Sequence, residues 1–286
     1  LTKSSLSHLP KNKQSELKKI IATIRDIADV EMIILFGSYA RGNWREARDV
    51  IADKPGFRRI SDYDILIITE KKDKSSWHKI SSKCQKLKLS APVRVEAHDI
   101  EMLNIKLAEG QYFFSDIKKE GIMIYDSKRF GLVEKRKLGV KERQRIARNY
   151  FKHWFEEKTK GFWRHYLLEI KVDSDDNGLT AFFLHQTAEH AYKTLHLVFT
   201  NYSPHEHFLS YLAKDVKHLH HDLKKLFPQK TKSQQDRFEL LEEAYISGRY
   251  DMDFYMAKKD LEMLAKDVIR LLEIAEEICR KNVGSL

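Results

Sequence analysis

The sequence lacks any apolar run approaching the roughly 20 residues that a bilayer-spanning helix needs. Its longest runs, MIILF (32–36) and ILII (65–68), are strand length, so no membrane partner is expected. It has only two cysteines, Cys84 and Cys279, far apart in the chain. That argues against a disulfide scaffold and suits a reducing compartment. The opening segment, LTKSSLSHLPKNKQSELKK, has neither the apolar central region nor the small-residue cleavage site of a signal peptide. Internal repeats and low-complexity tracts are also missing. Together these absences lead to the expectation of a cytoplasmic globular protein.

What is present agrees. The chain has 286 residues, 42% of them hydrophobic and 33% charged, enough for one large or two ordinary domains with real cores. The formal net charge is +10. Residues 1–128 carry 24 Lys and Arg against 18 Asp and Glu, and residues 129–286 carry 28 against 24, so the excess is spread over both halves. A basic surface favours anionic ligands, nucleotide or nucleic acid, without choosing between them.

The two halves differ in periodicity. In the first, residues 12–29 predict a helix with Leu17, Ile20, Ile21, Ile24 and Ile27 on one face. MIILF (32–36) and YDILII (63–68) predict buried strands, and PVRVEAH (92–98) a strand alternating Val93 and Val95 against Arg94, Glu96 and His98. Residues 99–110 predict a helix capped by Asp99 and stopped by Gly110, and 111–127 end in a short apolar strand. From 141 onward the pattern is helical, with amphipathic stretches at 142–163, 179–199, 235–247 and 258–281 and loop signals at 201–207 and 227–235. The expected architecture is an α+β domain over 1–128, with a mixed sheet flanked by helices, a basic linker at 129–140 and an all-α helical bundle over 141–286.

Chemistry concentrates in the first half. Asp62 and Asp64, two apart at a strand, point the same way and repel each other unless a cation intervenes. Mg²⁺ accepts a few carboxylate oxygens and fills its remaining positions with water and substrate phosphates. Gly37 ends the preceding apolar run, where it allows a sharp turn and close approach of a phosphate, and Ser38 adds a hydroxyl and an amide. Arg41 is either a phosphate contact or an exposed salt-bridge residue. Two-metal phosphoryl transfer usually calls on a third carboxylate. Glu96 is the candidate in a strand context; the alternative is a strand-edge glutamate paired with Arg94 or a lysine.

The pattern G-S-Y-A-R-G (37–42), an intervening segment, then S-D-Y-D-I-L-I-I (61–68) resembles the signature of DNA polymerase beta-like nucleotidyltransferases, in particular the minimal group related to kanamycin nucleotidyltransferase. The resemblance implies that Gly37 and Ser38 hold a triphosphate. It implies that Asp62, Asp64 and Glu96 bind Mg²⁺, or Mn²⁺ in its place. The activity implied is transfer of a nucleoside monophosphate, AMP from ATP, to a hydroxyl with release of pyrophosphate. The segment from Asn43 to Ile60 is longer than in the compact members and reads as an inserted excursion that shapes the acceptor pocket or packs on the next domain.

The second half, through AFFLHQTAEHAYKTLHLVFTNYSP (181–204) and AYISGRYDMDFYMAKKDLEMLAKDV (244–268), resembles the HEPN domain, often fused to or encoded beside minimal nucleotidyltransferases. Some HEPN proteins are ribonucleases that pair an arginine with a histidine a few residues later. Arg148 and His153 have that order, but they fall in the first bundle helix, whereas the nuclease motif belongs late in the domain. A polar stripe of His185, Glu189, Tyr192 and His196, flanked by Gln186, His190 and Lys193 and joined by Arg249 and Tyr250, could line an anion or nucleotide pocket. The plainer alternative is a solvated or dimer-facing stripe. The histidine-rich HEH (205–207) and HLHH (218–221) lack the partners of a structural zinc site. Trp154, Phe155, Phe162, Trp163 and Tyr166 follow helical spacing and are read as core.

The functional expectation is a Mg²⁺-dependent nucleotidyltransferase whose HEPN half binds the acceptor, forms a homodimer, or both. The acceptor would be a small molecule or a protein hydroxyl; nucleic acid is not favoured. The alternatives are a catalytically inactive nucleotide-binding module and a ribonuclease acting through Arg148 and His153.

Overall fold

The computed structural model describes residues 5–46, 60–71, 73–172 and 177–284. The chain divides into two compact units, Leu1–Lys137 and Leu138–Leu286.

The first unit is built on strands β1 (Met32–Phe36), β2 (Tyr63–Thr69), β3 (Val93–Asp99) and β4 (Ile122–Asp126), in the sheet order β3-β2-β1-β4. β1 runs antiparallel to both β2 and β4, and β2 runs parallel to β3. Helices cover both faces, which is why β1 and β2 read as continuous apolar runs rather than as alternation. On one face Ile33, Leu35, Tyr63, Ile65, Ile67 and Val93 pack with Leu17, Ile20 and Ile24 of α1 (Lys11–Ile27) and with Ile80 and Cys84 of α3 (Lys74–Gln85). On the other, Met32, Ile34, Leu66 and Ile68 pack with α4 (Ile100–Ala108) and α5 (Tyr112–Glu120). A five-residue helix, α2 (Gly37–Arg41), leaves the end of β1 and stops at Gly42, whose φ is +87°.

The start signals work as expected at α4, where the Asp99 carboxylate accepts from the amide of Met102 at 2.8 Å. The same signal begins α3, where Asp73 accepts from the amides of Ser75 and Ser76. The Asp73 cap is a sequence signal for this helix, but its sparse apolar face gives no clear helical periodicity. Residues 129–137 have no regular structure but hydrogen-bond back onto α4 and α5: Asn104 holds the Gly131 carbonyl, Lys118 the Val133 carbonyl, and the Arg136 amide donates to the Ala108 carbonyl. The excursion after Asn43 lies largely outside the described residues. Its base is closed by a reciprocal pair, the Arg45 amide to the Ser61 hydroxyl and the Ser61 amide to the Arg45 carbonyl, both at 2.9 Å.

The second unit is helical. α6 (Val140–Tyr150) runs through a π-helical stretch (Phe151–Thr159) into α7 (Lys160–Glu169), followed by α8 (Gly178–Thr200), α9 (Leu209–Val216), a 3₁₀ turn (His221–Lys225), α10 (Lys232–Glu243), α11 (Ser247–Tyr250) and α12 (Lys258–Val283). α8 is the axis of the bundle. Its Ala181, Leu184, Ala188, Ala191 and Leu195 are fully buried, and it is surrounded by the π-helical stretch, α7, α9 and α12. α12 contributes Leu261, Leu264, Val268, Leu271 and Ala275 to the same core, together with Phe155 and Tyr166. Asn201, at φ +59°, ends α8 in the left-handed conformation. No helix among the described residues is long and apolar enough to cross a membrane.

Candidate functional site

The end of β1 and the start of β2 meet because register forces them to. Phe36 pairs with Asp64, so Gly37 turns directly beside the aspartate. A Cβ built on Gly37 would stand 2.2 Å from Asp64 Oδ2, and Gly37 has φ +70°. Only glycine allows both the left-handed turn and that approach. Ser38 follows at the first turn of α2 and is half-buried.

Asp62 lies just before β2 rather than within it, a small correction to the sequence reading; two residues before Asp64, it still flanks that carboxylate. Burial foremost, and the Asp62 charge with it, raise the Asp64 carboxyl above its usual range, against the pull of Arg94 and Arg41. Glu96 pairs in register with Leu66 on the parallel strand. It shares the Asp64 face, two residues (about 7 Å) further along, and is exposed. The side chains of Asp62, Asp64, Glu96 and Arg94 make no hydrogen bond or ion pair with a described residue, although Arg94 acts on Asp64 electrostatically. The Glu96–Arg94 pairing weighed from sequence is therefore not formed. Arg41 reaches Glu120 of α5 at 3.5 Å, both side chains exposed, so it is a salt-bridge residue that also acts on Asp64.

These groups suit a divalent cation. Burial first, and the neighbouring Asp62 charge after it, drive Asp64 toward protonation despite Arg94 and Arg41, and the absence of a side chain on Gly37 leaves room for its carboxylate.

In the helical unit the sequence-read stripe is neither solvated nor an open pocket. His185, Glu189 and Lys193 are buried, Glu189 at 2% exposure, and they form one polar cluster with residues not grouped with them from sequence. Glu189 accepts from Gln186 and Lys193 at 2.8 Å each and meets His207 Nδ1 at 3.1 Å. His207 Nε2 meets the Tyr245 hydroxyl at 3.2 Å, and the two rings stack at 4.2 Å. Burial opposes the Glu189 charge, yet His207 and Lys193 hold its carboxyl down at about 2. Burial pushes His185 down to about 4, so it stays neutral. Arg249 and Tyr250 are exposed. Arg249 donates to the Tyr245 carbonyl and lies over the rings of Phe182, Tyr245 and Tyr250, outside the buried cluster. The HEH string held a signal for His207; Tyr245 had none, because only tertiary packing brings α8, the 201–208 connection and the residues after α10 together.

The sequence match follows the two units. Residues 18–130 match the family model for polymerase beta, nucleotidyltransferase, and residues 167–279 match the model for the HEPN domain. The chain joins a nucleotidyltransferase domain to a HEPN domain. A comparison with curated proteins returned no match. Gly37, Ser38, Asp62, Asp64 and Glu96 all lie within the nucleotidyltransferase match, and the Glu189 cluster lies within the HEPN match.

Arg148 and His153 stand outside the HEPN match and turn to different partners, Arg148 to the Val283 carbonyl at 3.0 Å and His153 to Glu157 at 3.0 Å. At HLHH, ligand atoms of His220, His221 and Asp222 lie within 4.8 Å of one another. Asp222, however, is already held by Lys225 at 2.7 Å and Arg270 at 2.8 Å, which keep its carboxyl well below the usual range.

Proposed function

We propose that the nucleotidyltransferase domain moves AMP from ATP to a hydroxyl acceptor, using Mg²⁺ or Mn²⁺ held by Asp62, Asp64 and Glu96. The observation that supports this most directly is the Asp64 carboxylate lying against Gly37, so that an acidic side chain stands beside the glycine turn. When bound, the metal would polarise the α-phosphate and offset charge on the departing pyrophosphate. Gly37 leaves room for a phosphate, and the Ser38 hydroxyl and amide orient it. Arg41, on the same short helix, adds positive charge near the phosphates. Glu96, exposed on the edge strand, accepts the proton of the acceptor hydroxyl. The HEPN domain binds the acceptor or joins two copies of the chain, with Arg249 and Tyr250 offering an exposed cationic and aromatic surface.

A nucleotide-binding module without transfer is the second reading. It is favoured by the exposure of Glu96 and its two-residue offset from Asp64. Thermal unfolding with and without ATP and Mg²⁺ tests the site. Saturating ligand at about 100 times its Kd stabilises by about 2.7 kcal/mol, and Asp64→Asn should abolish the shift. No shift in the unaltered protein would refute the site. Retention of the shift in Glu96→Gln with loss of pyrophosphate release supports transfer. Retention with no pyrophosphate release from either protein supports binding alone.

A further inference from the structure

Behind the candidate site, on the opposite face of the sheet, lies a polar and aromatic assembly that the proposed chemistry does not use. Tyr63, between Asp62 and Asp64, points away from them by strand alternation and is fully buried. Tyr39, next to Ser38, is also fully buried, and the two rings stack with centroids 4.3 Å apart. Trp44 also stacks with Tyr39, at 5.5 Å between centroids. The stack therefore ties the segment carrying Gly37 and Ser38 to the segment carrying the aspartates, through their immediate sequence neighbours.

The stack is anchored to α1. The Tyr63 hydroxyl donates to Glu16 Oε2 at 2.7 Å. Glu16 also accepts from the Ser90 amide at 2.8 Å and hydroxyl at 2.7 Å. Lys13, only 1% exposed, donates to the Ser90 hydroxyl, pairs with Glu46 at 3.0 Å and lies over the Tyr39 ring at 5.6 Å. A buried lysine and a buried tyrosine hydroxyl are costly to desolvate. An apolar core would not need them, whereas a bonded network holds three chain segments in one geometry.

We propose that Tyr39, Tyr63 and Glu16 are positioning residues for the nucleotidyltransferase site, fixing the Gly37–Ser38 turn relative to Asp62 and Asp64 through the ring stack and its hydrogen bond to α1. The proposal rests on the functional reading above. Neither tyrosine reaches the reacting groups; each acts through the residue beside it.

The test is Mn²⁺ affinity of the full chain, measured by electron paramagnetic resonance, for Tyr39→Leu, Tyr39→Phe, Tyr63→Leu, Tyr63→Phe and Glu16→Gln. Ile80→Ala serves as control, since Ile80 is a fully buried member of the same core. Loss of the ring should weaken Mn²⁺ binding by at least about 10-fold, the usual scale for groups that orient metal ligands. Tyr39→Phe, which keeps the ring, should restore nearly all of it. Tyr63→Phe, which removes the bond to Glu16, and Glu16→Gln, which leaves one acceptor oxygen for the three donors from Tyr63 and Ser90, should each weaken binding several-fold, and their combination should fall short of the product of the two because they share the Tyr63–Glu16 bond. If Tyr39→Leu binds Mn²⁺ like the unaltered protein, or if Ile80→Ala weakens binding as much at equal loss of stability, the proposal is overturned. Should the leucine variants fail to fold, the Tyr63→Phe and Glu16→Gln pair decides it, and unchanged affinity in both overturns it. Absence of Mn²⁺ binding in the unaltered protein would remove the functional reading and this proposal together. Binding that is lost in Asp64→Asn but kept in every positioning variant would remove this proposal alone.

Discussion

Replacing Gly37 by alanine separates backbone strain from damage to the site. An alanine at φ +70° sits in the left-handed region, which costs about 1–2 kcal/mol. Its Cβ would also stand 2.2 Å from Asp64 Oδ2 and 3.0 Å from Asp64 Cγ. Strand β2 cannot retreat, because Tyr63 and Ile65 on either side of Asp64 are fully buried. The carboxylate must therefore swing away by about the overlap of a carbon and an oxygen, roughly 1 Å. Displacements of that size in a functional group are worth about 100-fold. The expected result is a loss of about 1–2 kcal/mol in urea unfolding, with binding of Mn²⁺ and a non-hydrolysable ATP analogue by calorimetry weakened by about 100-fold, or about 2.7 kcal/mol. Gly131→Ala is the control: nothing lies within 4 Å of its added Cβ, and both measurements should stay near those of the unaltered protein. Gly37→Ala with undiminished metal and nucleotide binding would refute the claim that the glycine cradle and the aspartate form one site.

Further expectations concern charge. Arg94 lowers the raised Asp64 carboxyl, so Arg94→Gln should leave Asp64 protonated to higher pH and shift the onset of Mn²⁺ binding upward; an unchanged or lower onset contradicts this. In the HEPN domain His185 is held neutral, at about 4 against an ordinary 6.5. Its burial is free of penalty above pH 6.5 and opposes folding increasingly as pH falls toward 4. Glu189, at about 2 against 4.5, contributes stability above pH 4.5 that is lost as pH falls through 2. Urea midpoints followed by Trp154 and Trp163 fluorescence should therefore decline in two steps, and His185→Leu should diminish the upper one, to which His190 and His196, also lowered by burial, contribute, without changing the lower. Glu189→Gln keeps an amide oxygen for Lys193 and His207 but removes the buried negative charge that balances Lys193 and sets an amide group against that of Gln186, and a loss of about 3–5 kcal/mol in HEPN stability is expected; a loss below about 1 kcal/mol, the worth of an exposed pair, would mean that the cluster does not hold α8 to its neighbours.

The arrangement of an α+β half and a helical half was legible because periodicity is a local property. A residue's neighbours along the chain decide whether its side chains recur every two or every three to four positions. The same holds for the cap at Asp99, the stop at Gly110 and the turn at Gly37, where backbone conformation depends on the residue itself. The polar stripe of α8 is legible in the sequence, but its burial, which excludes a solvated face, is not. A helix at the centre of a bundle is buried all round, so its polar face must find partners from other segments, and no pattern within residues 178–200 names His207 or Tyr245.

The amino-acid order alone determined which segments become strands and helices, and where an acidic pair and a glycine turn fall along the chain, because those depend on bond geometry and side-chain spacing within a few residues. The tertiary structure decided what stands beside what: Phe36 opposite Asp64, Asp64 beside Arg94, Tyr63 under Glu16, Glu189 between Lys193 and His207. Register and burial follow from packing distant parts of the chain against one another, and a one-residue slip in either strand pair would turn Asp64 to the other face of the sheet.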